Sequence, residues 1–344
     1  MSSHAEALCR NYRAYAGARI LFLFVVILLL LGLTAIGLSV GASGMSPLEA
    51  LSALFVDNGR AHSIMWILRL PRIVMAVLVG FGLGTAGAVF QAILQNPLAS
   101  PFTLGIGSGA GLGAVTVILF FGGGFQTYRM ALGAFIFSLV SAFIILGVAR
   151  MRRASSETMI LTGIAQMFLF SSVTSLFQYM GTMEQVQEVV FWFFGSLSKV
   201  GWPEIGLAAL MILLPFPFLW RRAWDLNLLT AGDESALALG VNVEHLRMAA
   251  VVSASLVTAG CICFTGVIGF VGLVAPHITR MIIGSDHHTL LPSSGLVGAL
   301  IVVAADTLGR TLWAPQVIPI GIVTSFIGVP FFFYLLLKRS REYW

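Results

Sequence analysis

Charge disappears from long stretches of this chain. Ile20 to Leu48, Ile73 to Tyr128, Met130 to Ala149, Thr158 to Met183, Met248 to Thr279, His287 to Ala305 and Thr311 to Leu337 each lack Asp, Glu, Lys and Arg. About 20 apolar residues in a helix cross the roughly 30 Å hydrocarbon core of a bilayer, so several of these runs can span it, and two can do so more than once. Inside lipid every backbone polar group must be satisfied within the segment, so unbroken runs of this length predict helices; a β-barrel would show short alternating segments. Punctuation by Gly, Pro and charge divides the runs into ten spans, at about residues 20–40, 66–90, 102–121, 128–149, 158–180, 203–220, 247–267, 270–284, 290–309 and 316–337. The eighth is short and contains Pro276, which predicts a tilted or partly re-entrant helix. The expected fold class is all-α, a polytopic membrane protein with about ten transmembrane helices.

Arg10, Arg13 and Arg19 precede a first apolar run longer than the core of a cleavable signal. Residues 1–19 therefore read as a cytoplasmic amino-terminal segment, and 20–340 as a single transmembrane domain. With the amino terminus inside, ten spans put Arg150, Arg152, Arg153, Arg221, Arg222, Arg247, Arg280, Lys338, Arg339 and Arg341 on the cytoplasmic side with those three. Arg60, Arg69, Arg72, Arg129, Lys199 and Arg310 fall outside, and 13 cations against six obey the positive-inside rule.

Two connections stand out for length. The outer segment 181–202 contains an apolar, aromatic stretch from Glu188 to Gly195, too short to span and expected to form a short helix at the outer surface. The inner segment 221–247 is the longest cytoplasmic connection. Within it Asp233 is expected to N-cap a short helix through Leu239, closed by Gly240, with Ala236, Leu237 and Leu239 giving it an apolar side. So short a helix is unstable alone, and a partner surface or its own domain must hold it.

Composition agrees: 58% of the residues are hydrophobic and 10% charged, whereas soluble chains carry about a quarter charged residues. The net charge of +5 reflects loop cations that form no basic stripe with interleaved aromatics, so no nucleic-acid partner is expected. Cys9, Cys261 and Cys263 have no disulfide or metal-ligand spacing and read as unpaired. No metal site is expected, since His277 stands alone and the adjacent pair His287 and His288 reads as solvated turn residues. No catalytic constellation is visible among the spans, and the expected class is not an enzyme. Gly105, Gly107, Gly109, Gly111 and Gly113 imitate a dinucleotide fingerprint, but no strand precedes them. Together with Gly80, Gly84 and Gly87 they read as small faces for close helix packing. Ser171, Thr174, Ser175 and Gln178 share one face of the fifth span, either lining a pathway or joining helices.

Asp306 is the one carboxylate well inside a predicted span, four residues before Arg310, which suggests an i,i+4 ion pair; a proton relay is the alternative. Neither of the two lysines, Lys199 and Lys338, precedes Ser or Thr, so a phosphate-binding loop of the Gly-Lys-Ser/Thr kind is absent. A transport pathway lacking both that loop and a set of buried proton carriers is expected to draw on ATP hydrolysis by a separate subunit seated on the inner segment. An ion-coupled secondary carrier using Asp306 is the competing reading.

Leu68-Arg-Leu-Pro-Arg72, the run Gly87–Ala99, Leu104–Gly111, Gly232–Gly240, Gly269–His277 and Pro319–Thr324 together resemble the FecCD family, permease subunits of type II ABC importers for iron-siderophore complexes, haem, vitamin B12 and related chelates. The resemblance runs from about residue 20 to 340. It implies a type II ABC importer permease fold, a homodimer of permease subunits in a bacterial or archaeal inner membrane, two ATPase subunits and a periplasmic or lipid-anchored substrate-binding protein. This chain would bind no cofactor, and ATP and Mg would belong to the ATPase. The resemblance also implies that Arg69, Arg72 and Arg310 receive acidic residues of the binding protein. Gly232, Asp233, Glu234, Ser235, Ala236, Leu237, Ala238, Leu239 and Gly240 would form the coupling helix. Asn96, Leu98, Ser156 and Glu157 would form the cytoplasmic gate, Glu157 standing where a small polar residue is expected. A ferric siderophore, haem, a corrinoid and a small oxyanion all remain open as cargo.

Overall fold

The computed structural model describes residues 2–41, 47–57, 59–122, 127–151 and 155–337, with side chains from residue 17 onward except those of 47, 127, 335 and 336. Of the cations used above for topology, Arg152, Arg153, Lys338, Arg339 and Arg341 lie outside these residues, as do the side chains of Arg10, Arg13 and Cys9.

The helices, in chain order, are α1 (Ser2–Ser39), α2 (Pro47–Ser52), α3 (Arg60–Ser63), α4 (Leu70–Ile93), α5 (Ile106–Phe120), α6 (Thr127–Met151), α7 (Ser156–Met180), α8 (Met183–Phe194), α9 (Trp202–Leu213), α10 (Phe216–Arg221), α11 (Ala223–Thr230), α12 (Asp233–Ala238), α13 (Val243–Thr265), α14 (Val271–Ile283), α15 (His287–Thr311) and α16 (Ile320–Leu337). A π-helical turn, Ile64–Arg69, joins α3 to α4 without a break. No strand occurs among the described residues, and each of the ten expected spans has its helix.

Three differences from the sequence pattern have local causes. The sixth span divides into α9 and α10 at Pro215, which has no N–H to give and crowds the preceding turn. The eighth, α14, has 13 residues, about 20 Å at 1.5 Å per residue, and does not cross a full hydrocarbon core alone. It follows a non-helical passage ending at Phe270, whose φ of 66° is left-handed. The inner segment holds α11 as well as α12, because Leu226 and Leu229 bury one apolar side of that stretch.

Helix α4 is the axis of the molecule. It packs along α15 and also against α13, α14 and α9, and Val79, Leu83, Phe90 and Ile93 on it are fully buried. Small residues set these distances: a Cβ at Gly80 or Gly84 would run into the Gly298 or Ser294 carbonyl of α15, and one at Gly87 into the Gly272 carbonyl of α14. Gly109 and Gly113 bring α5 equally close to α6. By contrast α7 and the 17–39 part of α1 leave most of their surface open, rich in exposed Leu, Ile and Phe, as expected where lipid or another subunit covers them.

Candidate functional site

At the expected outer end, Arg69 closes the π-helical turn and Arg72 lies in the first turn of α4 behind Pro71. Arg72 grips Asp306 of α15 with Nε 2.8 and 3.1 Å from the two carboxylate oxygens and Nη2 2.8 Å from Oδ1. One turn on, Arg310 donates from Nε to the same carboxylate at 3.0 Å, the i,i+4 pair its spacing suggested. Arg310 also donates to the carbonyls of Gly37 and Val40, and Arg69 to those of Leu38 and Ser39. The last carbonyls of a helix have no partner within it, and cations suit that end. Arg69 is 6% exposed and the Asp306 side chain is entirely buried. The three arginines expected to receive a binding protein are engaged within the chain: Arg72 ties α4 to α15, Arg310 ties α15 to the end of α1, and Arg69 ties the π-helical turn to the end of α1.

Behind this cluster a cavity of about 470 Å³ is lined by Arg72, Glu188, Trp192, Ser196, Lys199 and Cys263 among others. Its edge includes α8, the short outer helix expected from the sequence, held by a capping box between Thr182 and Gln185. Gln185 also donates to the last carbonyls of α5, at Ile118 and Leu119. An apolar groove of about 510 Å³ lies between the end of α8 and α16, lined by Phe193, Phe194, Phe326 and Val329 among others. The polar stripe of α7 lines neither. Ser171 and Ser175 lie on its exposed face, Gln178 is half-buried and Thr174 is buried.

At the opposite end the structure gathers the residues matched to the gate and the coupling helix. Leu98 is exposed, in a turn where the Asn96 carboxamide accepts from its N–H at 2.9 Å. Ser156, in the first turn of α7, donates to the carbonyl of Ile93, the last residue of α4, at 3.4 Å, and Glu157 beside it is exposed. Helix α12 follows Gly232, which is its N-cap, and closes at Gly240, whose N–H bonds the Leu237 carbonyl. Asp233 is not the cap expected. Its carboxylate turns away to accept two bonds from Arg247 and one from Gln95, since a charge-assisted fork outweighs a single capping bond. The expected apolar side also divides: Ala236 is 0% exposed, packed inward, while Leu237 and Leu239 stand outward at 59% and 67%.

A third cluster ties this segment to the helices above it. Asp286, the N-cap of α15, accepts from Arg19 of α1 and Asn227 of α11, each at 2.9 Å, and from the His288 N–H. Burial opposes the charge of Asp286, but these partners outweigh it and hold the carboxyl below its usual range. The histidines beside it are not solvated turn residues. His287 is buried, with Nδ1 2.7 Å from the Asn227 side-chain oxygen, and His288 packs against Trp220. Both are pulled in because α15 starts here and Asn227 binds its first turn. Arg247, Gln95 and Asn227 are functional candidates that sequence reasoning did not single out. A cation at the very head of an apolar span was the signal that pointed toward Arg247.

The short helix α12 thus lies at one end and the arginine cluster at the other, with glycine-tight packing between them. The FecCD transport family matches residues 27–338. The chain belongs to the FecCD transport family. Among similar members of the family, the Fe(3+)-citrate import system permease protein YfmE of Bacillus subtilis is 38% identical, over 94% of this chain and 96% of its own length. The hemin transport system permease protein HmuU of Yersinia pestis is 37% identical, over 91% and 97%. A solved structure of a metal-chelate type ABC transporter in an inward-facing conformation superimposes with a TM-score of 0.81 at 32% identity, covering 92% of this chain and 99% of that one.

Proposed function

We propose that this protein is the membrane-spanning permease subunit of an ATP-binding-cassette importer, carrying a metal chelate such as a ferric siderophore, haem or a corrinoid across the inner membrane. The named cargoes of its relatives, ferric citrate and hemin, support the substrate class. Two copies of this chain would meet over the open faces of α7 and the apolar groove beside α16, with Ser171, Ser175 and Gln178 facing the pathway between them. ATP and Mg would be bound by two separate ATPase subunits, and the loop cations favour cytoplasmic termini. Arg69, Arg72 and Arg310 are cations at the outer end, and their field would draw an acidic binding protein there. An ion-coupled carrier built on Asp306 finds no support, because that carboxylate is buried and committed to two guanidiniums.

The observation that carries this reading is α12, a six-residue helix with Leu237 and Leu239 exposed, anchored from beneath by Arg247. Burying a leucine contributes about 1.5–3 kcal/mol, so Leu237→Asp with Leu239→Asp should weaken ATPase docking at least about a hundredfold. The fold should survive, since neither side chain is buried. Copurification of the ATPase with tagged permease measures this directly, and an unchanged ATPase-to-permease ratio would remove α12 as the seat.

A further inference from the structure

Arg247 is the fifth residue of α13 and is 1% exposed, although it sits beside the exposed coupling segment. Among the described residues its guanidinium reaches two places. Nη1 and Nη2 hold the two carboxylate oxygens of Asp233 at 2.7 and 2.8 Å, at the first turn of α12. Nε donates to the Ile93 carbonyl at 2.9 Å, at the last residue of α4. That carbonyl has no partner within its own helix, and it also accepts from Ser156 of α7. Gln95, two residues on, donates from Nε2 to Asp233 at 2.8 Å and to the Leu229 carbonyl at 2.7 Å. Its backbone has φ 47°, a left-handed conformation that residues other than glycine seldom adopt. One planar cation therefore joins the coupling helix to the end of α4, next to the turn bearing Asn96 and Leu98.

We propose that Arg247 is a positioning residue that carries displacement of α12 to the 94–99 turn, so that movement at the coupling helix becomes movement at the inner gate. The proposal rests on the reading of α12 as the ATPase seat. A buried fork suits this task because its bonds are directional, and its neighbours cannot move apart without leaving a charge unpaired out of water. Lysine would keep the charge but lose the planar fork and the separate Nε contact.

The test compares the assembled transporter, purified through a tag on the permease, with and without ATP plus vanadate, by hydrogen-exchange mass spectrometry. In the unsubstituted complex, exchange should change in both 231–240 and 94–99. In Arg247→Lys it should still change in 231–240 but not in 94–99, with ATP hydrolysis within about twofold and transport reduced at least tenfold. An unaltered response at 94–99 in that variant, or transport within twofold, overturns the proposal. If 231–240 fails to respond in the unsubstituted complex, the reading of α12 is itself wrong, and the proposal falls with it. Should Arg247→Lys not assemble, Asp233→Asn removes the charge from the same fork at a partly exposed position. It should diminish the 94–99 response, and a full response there is equally decisive against the link.

Discussion

Asp306 shows how much one residue's meaning depends on partners that sequence spacing does not reveal. Its pairing with Arg310 was legible four residues away, but Arg72, the other half of the clamp, is 234 residues distant. A lone intramembrane carboxylate invites a proton-relay reading; the same carboxylate between two cations fastens helices together. Removing one partner of a buried ionic group costs about 3–5 kcal/mol because the other is left unpaired. Asp306→Ala should lower the stability of detergent-purified protein by that order in a thermal or chemical denaturation series. A loss below about 1 kcal/mol would show that the two arginines are served by other groups. What Arg247 connects was illegible for a related reason: α12 and α4 end beside each other in space, and no periodicity encodes that meeting.

Elements were read better than contacts. Long charge-free runs located an apolar helix at each of the ten expected places, seven of them long enough among the described residues to cross a bilayer, because the hydrophobic requirement of a bilayer acts on each segment separately. The failures fall at segment ends, where side chains from distant helices decide the outcome. At the start of α15, Asp286, His287 and His288 looked like an ordinary polar turn, but Arg19 and Asn227 make it a junction of three helices. Its chemistry sets a pH dependence. With the folded carboxyl of Asp286 held below its ordinary value, the stability it contributes is fully present above the unfolded value, about 3.9. That contribution is lost as pH falls through the folded value. Below about pH 4 the melting temperature should therefore decline, and Asp286→Asn should flatten that part of the decline. Parallel curves for the two proteins would mean that the junction does not depend on the charge.

Across the whole molecule, orientation is the property on which every assignment of outer and inner depends. In a chain with Cys9→Ser, Asp57→Cys should react with a membrane-impermeant maleimide in intact cells, whereas Leu239→Cys should react only after permeabilisation. Both positions are exposed, and the remaining cysteines, Cys261 and Cys263, are buried. The opposite labelling pattern would invert the molecule and exchange the proposed roles of its two ends.

The two ends share one helix. Arg72, near the start of α4, is tied to Asp306, and Ile93, at its finish, is tied to Arg247. The 24 residues of α4 make a rod about 36 Å long at 1.5 Å per residue. Along it, glycines set into α14 and α15 leave no slack for sideways bending. A rod so confined is stiff across its axis and is tied at both tips as well as held along its length. Tension applied at one face of the membrane would arrive at the other with little lost to deformation between.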